Sequence, residues 1–286
     1  VFERAETSMP EPPKETLPHP KGVDVETLRG LIRKNEDLSL KEFLVENFHR
    51  VGERTAEKFL KSYGLDPFQL VGELSEEELL NLSRAMNEYS GFLPPKADVL
   101  SPIGEENFLK GIQKEFSPEY VDVVSRPPSS YAGHPFIVEA GLAYGGGVEG
   151  EPGEIKIYRF ANKIPLLYDE GSDVTAKVVE SVDWNYYKKP TRAPLALFFH
   201  ICSTKVPFRS LGKEFIADVP EVEREIKGAL RTLLRRFSTY LRREEATRKR
   251  ARRAELVSKY LDKIAEFSAR ILGKPKPDIG PLVRSL

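Results

Sequence analysis

One cysteine, Cys202, stands in a chain of 286 residues, beside one tryptophan, two methionines and four histidines. A lone thiol excludes an internal disulfide and fits a reducing cytoplasm, which sets the expected localisation. Its place in an apolar run makes it a small buried hydrophobe rather than a nucleophile. The histidines, His19, His49, His134 and His200, lack the spacing of metal ligands. No apolar run approaches the roughly 18 residues of a membrane-spanning helix, so no membrane partner is expected. Net charge is missing too. Lysine plus arginine equals aspartate plus glutamate at 44 each, so the overall balance says nothing about nucleic acid. There is no Walker A loop. Gly145, Gly147 and Gly150 formally satisfy G-x-G-x-x-G, but Glu151-Pro152-Gly153 and a strand pattern follow where a helix should open. A flexible hairpin loop is the expectation there.

What the chain does have is an apolar strand, Leu195-Ala196-Leu197-Phe198-Phe199-His200-Ile201-Cys202, running straight into Ser203-Thr204-Lys205-Val206-Pro207-Phe208. A strand end holds an ammonium at a fixed point, and lysine acts on phosphate as a hydrated point charge. A solvated turn lysine is the plain alternative.

The first 22 residues carry five prolines and read as a linker from a missing N-terminal domain. A helical module follows over 23–95. Asp24 is placed to cap a helix carrying Val25, Leu28, Leu31 and Ile32 on one face. Ser39-Leu40-Lys41-Glu42 and Ser75-Glu76-Glu77-Glu78 are capping boxes opening two further helices. Between them, Arg54 to Leu60 forms a helix entered by a turn at Val51-Gly52 and stopped by Gly64.

Residues 96–220 alternate strand and helix patterns. Strands are expected at Tyr120 to Ser125, Phe136 to Tyr144, Glu154 to Phe160 and Leu195 to Cys202. A helix carries Val174, Val178, Val179 and Val182 before the last of them. This order predicts an α+β fold with one sheet and a right-handed crossover.

A long helix spans 221–273, followed by a proline-bearing tail over 274–286. From Arg224 to Arg253 it holds twelve basic residues against three acidic ones, a local charge of +9. Its apolar stripe runs to Leu241 and resumes at Leu256, so the middle turns face solvent. Such a stretch suits contact with duplex DNA, through Arg248, Arg250, Arg252 and Arg253, or is a solvated basic face.

Tyr158-Arg159-Phe160-Ala161-Asn162-Lys163-Ile164-Pro165-Leu166-Leu167-Tyr168, together with Ser203-Thr204-Lys205, resembles the transducer domain of the B subunit of archaeal-type DNA topoisomerase VI. Arg50-Val51-Gly52-Glu53-Arg54-Thr55-Ala56 and Val71-Gly72-Glu73-Leu74-Ser75 resemble the helix–two-turn–helix domain. The likeness runs from about Pro18 to Leu241. The family is an ATP-dependent type IIB topoisomerase, and the resemblance implies the following. Lys205 reaches the γ-phosphate of ATP, which with Mg²⁺ is held mainly in a separate GHKL-type domain whose sequence boxes are absent here. The B subunit pairs with a second B subunit on ATP binding, and a topoisomerase VI A subunit supplies the tyrosine that cuts DNA. By itself the chain is then inactive. In the helix–two-turn–helix domain, a glycine turn before a helix exposes N–H groups to a phosphate, with Arg50, Arg54 and Lys58 adding charge. That module either contacts DNA or is a small packing unit. Trp184 and Tyr187 match the family's Trp-Lys-x-Tyr motif, with Asn185 in place of the lysine. DNA contact and aromatic packing both remain open for them. The rival class is a nucleic-acid-binding adaptor without ATP coupling, for which a lysine on a strand end has no use.

Overall fold

The structure, a computed structural model, describes residues 16–93, 95–96, 99–167, 171, 173–208 and 215–280. The chain divides into two compact units, Val1–Leu233 and Leu234–Leu286.

The first unit opens with four helices, α1 (Val25–Ile32), α2 (Leu40–Asn47), α3 (Glu53–Tyr63) and α4 (Glu76–Glu88), plus a 3-10 turn at Val71–Glu73. Their starts are the ones local chemistry dictates. Thr27 N–H donates to Asp24 Oδ1 at 2.7 Å, and both capping boxes close around Ser39 with Glu42 and Ser75 with Glu78. Each cap satisfies donors that the first helical turn leaves open. Gly64 ends α3 in the left-handed region at φ 65°, as expected of its sequence position. Leu28, Phe43, Leu44, Phe59, Leu60 and Met86 fill a common core. Burial of such side chains, at about 1.5–3 kcal/mol each, outweighs the weak helical preference of segments only two or three turns long.

Helix α5 (Glu105–Phe116) leads into a six-stranded sheet. Its strands are β1 (Tyr120–Ser125), β2 (Ser129–Tyr131), β3 (His134–Tyr144), β4 (Ile155–Ala161), β5 (Ile164–Pro165) and β6 (Leu195–Ser203). The order is β1-β3-β6-β4-β5, with β2 on β3. The α+β class and the four expected strands are present. β2 and β5 are additional, each too short to carry a periodicity of its own.

Helix α6 (Val174–Glu180) and the single turn α7 (Trp184–Tyr187) lie between β4 and β6, which pair in parallel as a crossover requires. β6 is therefore central, flanked by antiparallel β3 and parallel β4, and buried along its whole length. A strand covered on both faces needs an unbroken apolar run, and Leu195 to Cys202 is nearly that. On one face Ala196 and Phe198 pack beneath Phe108 and Ile112 of α5. Gly141 on β3 lets α5 lie this close, since a Cβ there would sit 2.6 Å from Ile112 Cδ1.

The Gly145–Gly150 loop departs from its expectation. β3 and β4 are separated by β6, so the loop spans the sheet end and is not a hairpin. Gly147 N–H donates to Phe116 O at 2.9 Å, and Gly145 N–H donates to Pro194 O at 3.2 Å. The glycines are there for close backbone approach to the end of α5.

Helix α8 (Pro220–Leu272) begins in the first unit, where it buries Val222, Ile226, Ala229, Leu230 and Leu233. Glu225 there receives Arg126 Nε at 2.8 Å. In the second unit Leu256, Tyr260, Ile264, Phe267 and Ile271 are exposed, and Lys276 pairs with Asp262 at 2.5 Å. Among the described residues no helix is long and apolar enough to cross a membrane.

Candidate functional site

The C-terminal end of β6 is where the sheet delivers polar side chains. Ser203, its last residue, is buried, whereas Thr204 and Lys205 are exposed. Ser203 Oγ donates to Pro135 O at 3.0 Å on the β3 side and accepts from Lys205 N–H at 3.1 Å. On the β4 side the Asn162 amide brackets it: Ser203 N–H donates to Asn162 Oδ1 at 2.9 Å, and Asn162 Nδ2 donates to Ser203 O at 3.0 Å. The backbone of Lys205 thus springs from a residue fixed by both neighbouring strands, leaving its ammonium free to reach into solvent.

Beyond Lys205 the chain folds back. Phe208 pairs with Ile216, and Ala217 N–H donates to Pro207 O at 2.7 Å. The other stem of this loop is tied down by Asp173. One carboxylate oxygen of Asp173 accepts from Ile216 N–H at 2.9 Å, and the other caps α6 through Thr175 N–H at 2.8 Å. Arg159 on β4 lies 3.4 Å from the same carboxylate, both groups being buried.

A second buried cluster lies where Glu139 on β3 pairs with His200 on β6. Glu139 on β3 is fully buried, with Oε1 and Oε2 accepting from the N–H groups of Gly104 and Ile103 at 2.7 and 2.8 Å. Those N–H groups open α5, so a carboxylate meets the positive end of the helix dipole. His200 on β6 lies 2.7 Å from Glu139 through Nδ1 and accepts from Lys163 N–H at 3.0 Å through Nε2. An Nε2 that accepts carries no proton, so Nδ1–H donates to the carboxylate and the tautomer is set. Lys163 Nζ in turn donates to Ser101 Oγ at 2.6 Å.

Lys205 has charged surroundings. Burial first, and then the Lys205 ammonium, push the His134 pKa below its ordinary value. Asp24, held low chiefly by its bonds to Thr27, also feels Lys205 as a minor influence. Among the described residues no three His, Cys, Asp or Glu side chains converge on a point that would hold a cation. The described residues do not fit a resident magnesium ion. Among the described residues at this strand end, Lys205 offers ATP a cationic side chain, and no glycine-rich loop opens a helix there.

The other candidates are placed as follows. Gly52 is the N-cap of α3, with no side-chain cap, Arg54 and Lys58 are exposed on that helix, and Arg50 precedes it at φ 61°. Acidic groups crowd this end: Lys41 bridges Glu53 at 3.6 Å and Glu57 at 2.6 Å. Over 23–95 nine basic residues face fourteen acidic ones, a net charge of −5. Trp184 and Tyr187 share the turn α7, both half-buried, with Tyr186 edge-on to Tyr187 at 4.9 Å. Arg248, Arg250, Arg252 and Arg253 are all exposed, Arg248 in an ion pair with Glu244.

Asn162, Ser203, Glu139 and His200 were not singled out as site residues from sequence. Ser203, Glu139 and His200 are polar residues at the end or middle of apolar strands, and that placement was the available signal, whereas Asn162 lies in a turn.

Residues 95–253 match the family model described as the topoisomerase VI B subunit, transducer. The B subunit of type 2 DNA topoisomerase 6 from Metallosphaera sedula is 44% identical over 289 residues, covering 99% of this chain and 54% of that protein. Its counterpart in Pyrobaculum aerophilum is 46% identical, covering 92% of this chain and 50% of that protein. That of Sulfurisphaera tokodaii is 42% identical, covering 98% and 53%. The chain spans about half the length of the curated relatives it matches. On these matches the chain belongs to the family of the topoisomerase VI B-subunit transducer.

Proposed function

We propose that this chain is the coupling portion of the B subunit of a type IIB DNA topoisomerase. In this reading ATP, with its Mg²⁺, is bound by a GHKL-type domain of the same subunit. Lys205 contacts the γ-phosphate, a second B subunit closes on nucleotide binding, and an A subunit cuts and passes duplex DNA. The observation that carries the reading is the placement of Lys205. It is exposed at the end of the central strand, and its backbone is anchored through Ser203. A cation that must meet a phosphate arriving from another domain needs that combination of a fixed base and an open tip. Loss of the γ-phosphate on hydrolysis removes the contact and releases a rigid-body movement.

The test is Lys205→Ala in the complete B subunit assembled with the A subunit. ATP turnover, or its coupling to supercoil relaxation, is expected to fall by about a hundredfold or more. Stability is expected to change by no more than about 0.5 kcal/mol, because an exposed side chain is removed. Relaxation at the wild-type rate would overturn the assignment.

An adaptor that binds nucleic acid without ATP coupling is favoured by a different observation, the exposed arginines of the +9 stretch. In that case Lys205→Ala leaves every activity intact while loss of Arg248, Arg250, Arg252 and Arg253 abolishes binding. DNA contact by Arg50, Arg54 and Lys58 has to overcome the acidic charge of their own module. Trp184 and Tyr187 are proposed as a further DNA contact, with Lys188 and Lys189 supplying the charge that Asn185 lacks.

A further inference from the structure

We infer that Asn162 is the positioning residue of Lys205, an inference that rests on the γ-phosphate reading of that lysine. Asn162 and Lys163 are the two central residues of the β4–β5 hairpin, closed by Ala161 opposite Ile164. Both have positive φ, 47° and 69°, the signs that a type I′ turn demands. Asparagine is tolerated there, but the turn does not explain the rest of its bonding.

The parallel ladder between β4 and β6 ends at Ala161 opposite Ile201, and Asn162 N–H still donates to Ile201 O at 2.9 Å. The β4 main chain then turns away. At this point the Asn162 side chain takes over. Its amide donates to Ser203 O at 3.0 Å and accepts from Ser203 N–H at 2.9 Å. A carboxamide has the donor and acceptor of a peptide group, so it adds one more rung to the ladder after the backbone has left. Aspartate offers no donor, glycine neither group, and glutamine carries one more methylene than this reach requires. The side-chain identity is therefore set by Ser203, which the same amide holds against β4 while Pro135 O holds it against β3. Ser203 Oγ then receives Lys205 N–H. Releasing the amide frees the strand end by one residue and lets the lysine backbone wander, with no apolar side chain uncovered.

The experiment is a double-mutant cycle in the complete B subunit with its A subunit, reading kcat and KM for ATP hydrolysis. Asn162→Gly removes the amide and keeps the positive φ free of strain. It is expected to lower kcat by between about tenfold and about a hundredfold, the scale of a displaced catalytic group, with KM for ATP changed less than about twofold. The Asn162→Gly, Lys205→Ala double variant is expected to match Lys205→Ala alone, because the amide acts through the lysine. Wild-type kcat in Asn162→Gly, beside a crippled Lys205→Ala, overturns this inference and leaves the function reading standing. A double variant whose loss is the product of the two single losses also overturns it, as a general structural role. Wild-type turnover together with wild-type supercoil relaxation in Lys205→Ala overturns the function reading and Asn162 with it. Should Asn162→Gly show no cooperative melting transition, Asn162→Asp carries the same cycle. It keeps the turn and the acceptor and loses the donor, so its kcat should lie between wild type and Lys205→Ala.

Discussion

At the scale of single residues, the chain places polar groups inside its sheet where each has a defined partner. Glu139 is the clearest case. Truncating it by Glu139→Ala would leave the N–H groups of Ile103 and Gly104 and the His200 ring without their acceptor in a buried site. Breaking such a cluster is expected to cost about 3–5 kcal/mol, read as a shift in the denaturant midpoint at unchanged m. Glu139→Gln keeps an acceptor and should cost less. His19 gives a pH dependence. Burial, the largest influence, pushes its pKa below the ordinary 6.5, against the bond to Leu93 O. The folded state therefore binds this proton less readily than the unfolded chain. The contribution of His19 to stability is complete above about pH 6.5 and is lost as pH falls from there toward the lowered folded-state value. Comparing denaturant midpoints of the natural chain and His19→Gln between about pH 5 and 7.5 reads this directly. The two curves should draw together toward low pH, and parallel curves would show that His19 contributes no titration.

At the scale of elements, turns and caps decide where helices and strands stop. The loop after β3 depends on a glycine at a close approach. A Cβ on Gly146 would sit 2.2 Å from Ser117 O, at a φ of 61°. Gly146→Ala is expected to destabilise the first unit by about 2 kcal/mol or more, since the end of α5 or the loop must shift. Thermal melting checks this, and an unchanged midpoint would mean the loop is free to move. The sequence made the caps of α1, α2 and α4 legible, because each depends on side chains three residues apart. The β4–β5 hairpin was not legible. Its turn is Asn-Lys rather than Asn-Gly, and β5 is two residues long.

At the scale of the whole molecule, charge is separated along the chain. The helical module over 23–95 carries −5 and the Arg224–Arg253 stretch +9, though the total is zero. Sequence-independent duplex binding is expected from the basic stretch, with log K falling roughly linearly as log salt rises. Changing Arg248, Arg250, Arg252 and Arg253 together to Gln should reduce that slope by about 0.9 for each phosphate no longer neutralised. An unchanged slope, measured by fluorescence anisotropy across a salt series, would assign these arginines to solvent or to a protein partner. The exposed apolar residues from Leu256 to Ile271 suit an A-subunit contact in the proposed assembly. Deleting 256–286 from the B subunit should then weaken co-purification of the A subunit.

By itself the sequence determined the four helices of the 23–95 module with the caps of α1, α2 and α4, the long C-terminal helix, four of the strands, the α+β class and the lysine that follows the apolar strand. These depend on local spacing, which a linear chain displays. The tertiary structure alone decided that β6 is the central strand, since strand order follows from long-range pairing that no local pattern encodes. It also decided what Asn162, Glu139 and His200 do. Asn162 reads as a turn residue, and only the parallel pairing of β4 with β6 brings its amide to Ser203, forty-one residues away in sequence. Glu139 reads as a polar fault in an apolar strand until the start of α5 and the His200 ring arrive to satisfy it. A buried polar group is stable only with its partners, and those partners are chosen by the fold.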